Sequence, residues 1–305
     1  MKKLFIIGNG FDIAHGLPTK YSDFQNYLIN KYPEASDENL VVPQSSIMPN
    51  GEERYDDNEV VGFLLKIISE TEATGEAWKD LENTLGHLEF VEYFDTLNWC
   101  DDDDNEWHKV YRNEDIAANI CHVVPMIKEY FSNWIDTIKI FHAKSKINFS
   151  NLIDLDRDFF LTFNYTETLE QIYKVKNVYH IHGKRGGKLI IGHGNNTDYY
   201  ESYMSRHIGA ENYLCELQEE MKKDTQSIIT QNKELFIKLG KVDKIYSYGF
   251  SFSDVDMAYI RELCNMSKTE NIVWYFNDYD KDKYETFKDK LVQCGFKGNF
   301  DIFKI

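Results

Sequence analysis

The chain has 305 residues, 42% apolar and 15% aromatic, enough for the packed core of one large domain or two small ones. Its 51 acidic and 34 basic side chains give a formal net charge of −17. A surface that acidic repels phosphate backbones, so general nucleic-acid binding is not expected. No apolar run reaches the roughly 18 residues that a membrane-spanning helix needs. Met1-Lys2-Lys3 leads into only four apolar residues before the first glycine, which is too short for a secretory h-region. The five cysteines, Cys100, Cys121, Cys215, Cys264 and Cys294, are far apart and form no C-x-x-C pair. Neither a disulfide framework nor a four-cysteine zinc site is therefore expected, and a cytoplasmic location with reduced thiols is.

In chain order, residues 3–7 form an apolar run that predicts a buried parallel strand ending on Gly8-Asn9-Gly10. Glycines in that turn allow positive φ and close backbone approach, and N–H groups freed there can face a phosphate at the start of the next helix. A plain strand-to-loop turn that binds nothing explains the same residues. Phe24, Tyr27 and Leu28 predict a helix over 21–31, and the proline-rich, polar stretch 33–51 predicts a long loop. From 56 to 146 the apolar residues recur only at helical spacing. Val60, Val61, Leu64, Leu65 and Ile68 make one series, and Trp78, Leu81, Leu85 and Leu88 another. A third runs from Glu114 to His142, where Pro125 should kink or split the helix. The acidic run Asp101–Asp104 is expected to be solvated.

Strand and helix alternate again from Arg157 onward. Strands are predicted at 159–163, 178–182, 189–192, 244–248, 272–276 and 300–303. Helices are predicted at 166–173, 210–238, 255–264 and 281–294, with Asp254 as the N-cap of the third. The predicted fold is α/β, a mostly parallel, doubly wound, Rossmann-like sheet built from 1–55 and 147–305, with a large all-helical insertion at 56–146. Ligands of such sheets bind at the C-terminal ends of the strands. Gly8-Asn9-Gly10, Asn164, His182 and Gly249-Phe250-Ser251 all fall there.

These residues carry the candidate chemistry. His182 can accept a proton near neutral pH or simply bond backbone. Asn164 can orient a water or a sugar hydroxyl, or cap the helix that follows. Asp12 can hold hydroxyls or cap a turn, and His15, three residues on, faces the same pocket or packs under Gly16. Ser251 and Ser253 suit contacts to a sugar or phosphate, or turn chemistry. His193 lies between glycines. Trp78 and Glu82 stand one helical turn apart, Trp78 as a core anchor and Glu82 as a carboxylate that can turn toward the cleft.

Four segments resemble the sirtuin-like NAD-binding fold in order along the chain: Gly8 to Pro18, Thr162-Phe163-Asn164-Tyr165, His180-Ile181-His182-Gly183, and Tyr248 to Asp254. A closer resemblance, covering the whole chain, is to the AbiH family of bacteriophage abortive-infection proteins. It is carried by Gly8 to Phe24 and by Trp78-Lys79-Asp80-Leu81-Glu82. Asp12 stands where sirtuins have a small hydroxyl residue, and their zinc module and peptide groove are missing, which argues against protein deacylation.

The resemblance implies a phage-defence protein that binds NAD and hydrolyses it to nicotinamide and ADP-ribose when triggered, with a phage-derived protein as trigger. It implies His182, Asn164 and Asp12 as catalytic residues. Gly8, Asn9, Gly10, Phe11, His15, Gly249, Ser251 and Ser253 would bind the nucleotide, with His193 and Glu82 as additions and no metal. Self-association into a homo-oligomer is compatible with this. One alternative is a nucleotide-sensing or partner-binding module without chemistry. Another is a metal-dependent nuclease or phosphohydrolase using Asp12, Glu82, His182 and His193, which the negative charge and the lack of a metal motif disfavour.

Overall fold

A computed structural model describes residues 2–35, 41–71, 78–98 and 106–305. Cys100 and the acidic run Asp101–Asp104 lie outside them, as does part of the 33–51 loop. The described strands are β1 (Lys3–Ile7), β2 (Ser46–Ile47), β3 (Glu53–Arg54), β4 (Phe159–Thr162), β5 (Val178–His180), β6 (Lys244–Tyr248), β7 (Val273–Asn277) and β8 (Asn299–Phe303). The strands β2 and β3 pair as a short antiparallel hairpin. The others form one sheet in the order β5-β4-β1-β6-β7-β8, with every pairing parallel. The chain starts in the middle, builds outward through β4 to β5, then returns to the other side of β1 for β6 to β8. That is the strand order of a Rossmann-like α/β fold, with its switch point between β1 and β6.

Alternation along each strand sends successive side chains to opposite faces. Leu4, Ile6, Leu161, Ile245 and Trp274 join one buried cluster. Phe5, Ile7, Phe160, Tyr246 and Phe303 join the other. Both faces are apolar, which is why these strands read as near-continuous hydrophobic runs. In-register rings stack across four strands. Phe5 lies 5.1 Å from both Phe160 and Tyr246, and Tyr246 lies 4.5 Å from Tyr275.

The chain divides into two compact units: 1–20, 135–190 and 224–305, and 21–134 with 191–223. The first holds the parallel sheet. The second holds the β2–β3 hairpin and helices that include Tyr21–Lys31, Asp57–Thr71, Glu106–Val123 and Glu211–Glu220. Inside it the Phe24 ring lies 5.9 Å from Trp78, 5.3 Å from Phe131 and 5.2 Å from Trp134. Pro125 sits in the 3-10 turn Val124–Met126, which separates Glu106–Val123 from the helix Ile127–Thr137. That is the split its missing N–H requires.

Several local expectations need correction. Residues 189–192 form no strand. Ile190 N–H bonds back to His182 O across the Gly183–Gly187 turn, and the only pairing nearby is an isolated bridge from His193 to Lys222. The helical stretch 210–238 breaks into Glu211–Glu220, Thr225–Gln231 and Lys233–Leu239, because Asp224 caps a new N-terminus by accepting from Ser227 N–H at 2.9 Å. Trp78 does not share a helix with Glu82. The helix begins at Leu81, capped by Asp80, and Trp78 lies ahead of it at φ +64°. Asp254 does not cap the helix after it. It opens a 3-10 turn before the helix Met257–Met266 and pairs with Lys290 at 2.8 Å.

Candidate functional site

The turn after β1 owes its glycines to close packing. Gly8 is extended, with φ −117°, and neither Gly8 nor Gly10 has positive φ, contrary to the expectation. Gly8 N–H donates to Tyr248 O at 3.1 Å, and Gly10 N–H donates to Gly249 O at 2.9 Å. A Cβ on Gly8 would lie 2.5 Å from Gly249 O, and one on Gly10 2.7 Å from Gly249 Cα. Gly249 itself, at φ +64°, would place a Cβ against Phe11 N. The loops after β1 and β6 thus meet backbone to backbone at the switch point, and two of the N–H groups expected to face a phosphate are already bonded.

The residues around the turn are anchored in turn. Asn9 is exposed, and its amide donates to Thr19 O at 2.6 Å. Phe11 is fully buried among Phe149, Tyr173 and Tyr248. His15 Nδ1 donates to Phe11 O at 2.7 Å, and Nε2 lies 2.6 Å from Tyr173 Oη. Nδ1 must donate to a carbonyl, whereas the phenol can either donate to Nε2 or accept from it. Burial lowers the pKa of the ring and so favours its neutral form.

Asp12 is strongly perturbed. It sits in the short helix Asn9–Ala14, 1% exposed. Burial pushes its carboxyl up to about 6, against the Thr166 and Thr168 hydroxyls, the nearby Asn164 amide and the charge of His180. Thr166 Oγ1 donates to Oδ2 and lies 3.0 Å from Thr168 Oγ1. The other carboxylate oxygen, Oδ1, is buried without a hydrogen-bond partner among the described residues. The same holds for both amide atoms of Asn164, which leans on Asp12 closely enough to lower its pKa but without regular hydrogen-bond geometry. An unsatisfied buried polar group costs about 1–3 kcal/mol. Three such atoms on two adjacent side chains, at the ends of β1 and β4, form a place where a hydroxyl-bearing ligand or a water would be stabilised.

His182 follows β5, is 3% exposed, and brings Nε2 to 3.5 Å from Asp256 Oδ1. Ser253 Oγ donates to Asp256 Oδ2 at 3.2 Å. The imidazole lies 5.2 Å from the Phe163 ring and 5.5 Å from Tyr259, and Phe163 lies 4.5 Å from Phe250, whose Cα borders Gly8. Two aromatic rings therefore connect His182 with the glycine turn. Ser251 is exposed. The neighbouring His180, on β5, has Nδ1 3.0 Å from Asn164 O and Nε2 2.8 Å from Glu170 Oε1. A cavity of about 380 Å3 opens beside this pair, lined by Glu170, His180, Lys184 and Asn232 with Val178 and Leu235.

In the second unit, Glu82 and His193 have local partners. Glu82 Oε1 lies 2.7 Å from the ammonium of Lys223, whose side chain is fully buried. His193 Nε2 donates to Gln218 O at 3.0 Å, and Nδ1 accepts from Asn195 N–H at 3.1 Å, so this ring is also neutral, and burial lowers its pKa. Among the described residues, no group of three or more histidine, cysteine, aspartate and glutamate side chains is placed to hold a metal ion, and no helix is long and apolar enough to cross a membrane.

Sequence reasoning missed Asp256, Thr166, His180 and Glu170. Asp256 shares a short acidic turn with Asp254, which looked like the cap. His180 was visible in His180-Ile181-His182, where residues two apart on a strand share a face, but the strand ends at His180 and the two rings find different partners.

No curated protein and no solved structure matches the chain. Residues 4–278 match the sequence model described as Bacteriophage abortive infection AbiH, and the chain belongs to the AbiH family.

Proposed function

We propose that this chain acts in defence against bacteriophage, and that its α/β unit binds NAD and hydrolyses it to nicotinamide and ADP-ribose when a phage-derived trigger arrives. The observation that carries this is the buried pair Asp12 and Asn164, with its unsatisfied oxygen and amide, at the strand ends of a Rossmann-ordered sheet. Such groups suit the hydroxyls of a sugar, and a carboxyl that titrates near 6 suits proton transfer at neutral pH. The four sirtuin-like segments give the same direction.

NAD supplies a cationic leaving group at its nicotinamide–ribose bond, so the protein need not protonate it. Asn164 would hold a water or ribose hydroxyl through its amide. Asp12 would accept the hydroxyl proton once ionised. His182, backed by the Asp256 carboxylate, would serve as a second base. As it stands, the glycine turn is committed to packing, so phosphate contacts are not assigned to Gly8 or Gly10 N–H.

The test is to incubate the purified protein with NAD, alone and with extract from phage-infected cells, and to follow nicotinamide by chromatography. Release by the wild type, and none by Asn164→Ala or His182→Ala, is the expected result. No release under either condition overturns the catalytic assignment. A binding role without chemistry is favoured by the burial of His182. It predicts calorimetric binding of NAD or ADP-ribose, with Asn164→Ala and His182→Ala cells still protected.

A further inference from the structure

His180 is bracketed by two acceptors. Nδ1 faces the Asn164 carbonyl at 3.0 Å and Nε2 faces a Glu170 carboxylate oxygen at 2.8 Å. A carbonyl oxygen only accepts, and an ionised carboxylate only accepts. Both contacts are hydrogen bonds only when each ring nitrogen carries a hydrogen, so the geometry calls for an imidazolium. Its side chain is 8% exposed and that of Glu170 29%. The pair is therefore a charged hydrogen-bonded unit with a buried imidazole and a carboxylate that is partly open to the cavity. Burial tends to raise the Glu170 carboxyl, but the hydrogen bond and charge of His180, with a further contribution from Lys184, outweigh it and hold it below its usual value.

The other side of the ring leads to Asp12. The carbonyl that His180 binds belongs to Asn164, whose amide leans on Asp12, and the positive charge of His180 favours the Asp12 carboxylate. From the segment after β4, the other groups on Asp12 are the neutral hydroxyls of Thr166 and Thr168. Glu170 comes from the helix Thr168–Tyr173, the same segment that delivers those threonines. One short stretch, 164–170, thus carries the amide, the two hydroxyls and the counter-charge, and His180 ties its beginning to its end.

We propose that His180 is a positioning residue: clamped between the Asn164 carbonyl and Glu170, it holds the 164–170 segment in place, so that Thr166 of that segment donates to Asp12. Glu170 lines the cavity beside the pair, and its second oxygen, Oε2, has no hydrogen-bond partner. The clamp deepens the assignment of Asp12 and Asn164 as a site, yet it stands on the free protein and does not require that NAD be the ligand.

The test uses the full chain labelled with 13C at aspartate carboxyls and 15N at histidine rings, titrated by NMR between pH 4 and 8 without nucleotide. In the wild type, ring hydrogens on both Nδ1 and Nε2 of His180 should be held by their acceptors and exchange slowly enough to be seen. In His180→Gln, which folds if its thermal transition stays cooperative, the Asp12 midpoint should move upward by about one pH unit. A wild-type His180 ring that lacks a slowly exchanging hydrogen on either nitrogen overturns the proposal, whether or not the variant folds. So does an unmoved midpoint in a folded His180→Gln. Failure of NAD hydrolysis leaves both measurements intact, so the two assignments can fail separately.

Discussion

His182 Nε2 stands 3.5 Å from Asp256 Oδ1, and the second oxygen of that carboxylate is held by Ser253 at 3.2 Å. The serine fixes the carboxylate, and the carboxylate faces the ring. The base role proposed above for His182 would depend on that neighbour. Asp256→Asn keeps the shape and removes the charge, so under the proposed hydrolysis nicotinamide release should fall by about tenfold or more while the Kd for NAD stays within about twofold. Steady-state kinetics with calorimetry separates the two. Equal losses in rate and affinity would make Asp256 a binding residue instead.

Asp12 gives a prediction with a definite sign. Its folded-state pKa, about 6, is raised from 3.8. A raised acid favours the protonated state of the fold. Its stabilising contribution is complete below about pH 4 and is lost as pH rises through 6. Asp12→Asn removes the cost of the buried charge, so at pH 8 the variant should be more stable than the wild type by about 1–3 kcal/mol. That gain should disappear at pH 4. Urea titrations at the two pH values check it. A gain in stability joined to loss of function would mark Asp12 as a residue kept for chemistry at the expense of the fold.

The strands were legible because their apolar runs are bounded by glycine and polar residues. Residues 3–7 and 244–248 form strands at the expected positions, and the helix 21–31 does likewise. What could not be read locally was tertiary. The glycines after β1 answer to Gly249, more than two hundred residues away, and no local pattern in residues 8–10 distinguishes packing against a loop from cradling a phosphate. Residues 189–192 carry strand-like side chains, but the turn at Gly183 directs Ile190 N–H to His182 O. Asp12 and Asn164 were legible as polar residues at strand ends. The partners that set their chemistry, Thr166 and His180, were not, because threonine after a strand and histidine within one are ordinary there.

Glu82 carries a third prediction. It meets Lys223 at 2.7 Å with the lysine side chain fully buried and the glutamate 10% exposed. Removing one partner strands the other charge out of water. Glu82→Leu and Lys223→Met should each destabilise by about 3–5 kcal/mol, whereas the two together should recover most of the loss. A double-mutant cycle by denaturant unfolding measures this. Additive losses would show that the pair is not coupled.

The glycine turn gives a graded series. Gly16, at φ +77°, has open space where a Cβ would go, so Gly16→Ala pays only the backbone penalty, about 1 kcal/mol. Gly8 has ordinary extended dihedrals, but its Cβ would lie 2.5 Å from Gly249 O, and the obstacle is backbone that cannot rotate away. Gly8→Ala should therefore cost about 1–3 kcal/mol by forcing the two loops apart. Gly249→Ala suffers both effects, since φ is +64° and its Cβ would collide with Phe11 N and Gly10. Thermal unfolding should rank the variants Gly16→Ala, Gly8→Ala, Gly249→Ala in increasing order of damage. A Gly8→Ala protein as stable as the wild type would mean that the loops after β1 and β6 do not pack as described, and would return the turn to the role of a nucleotide cradle.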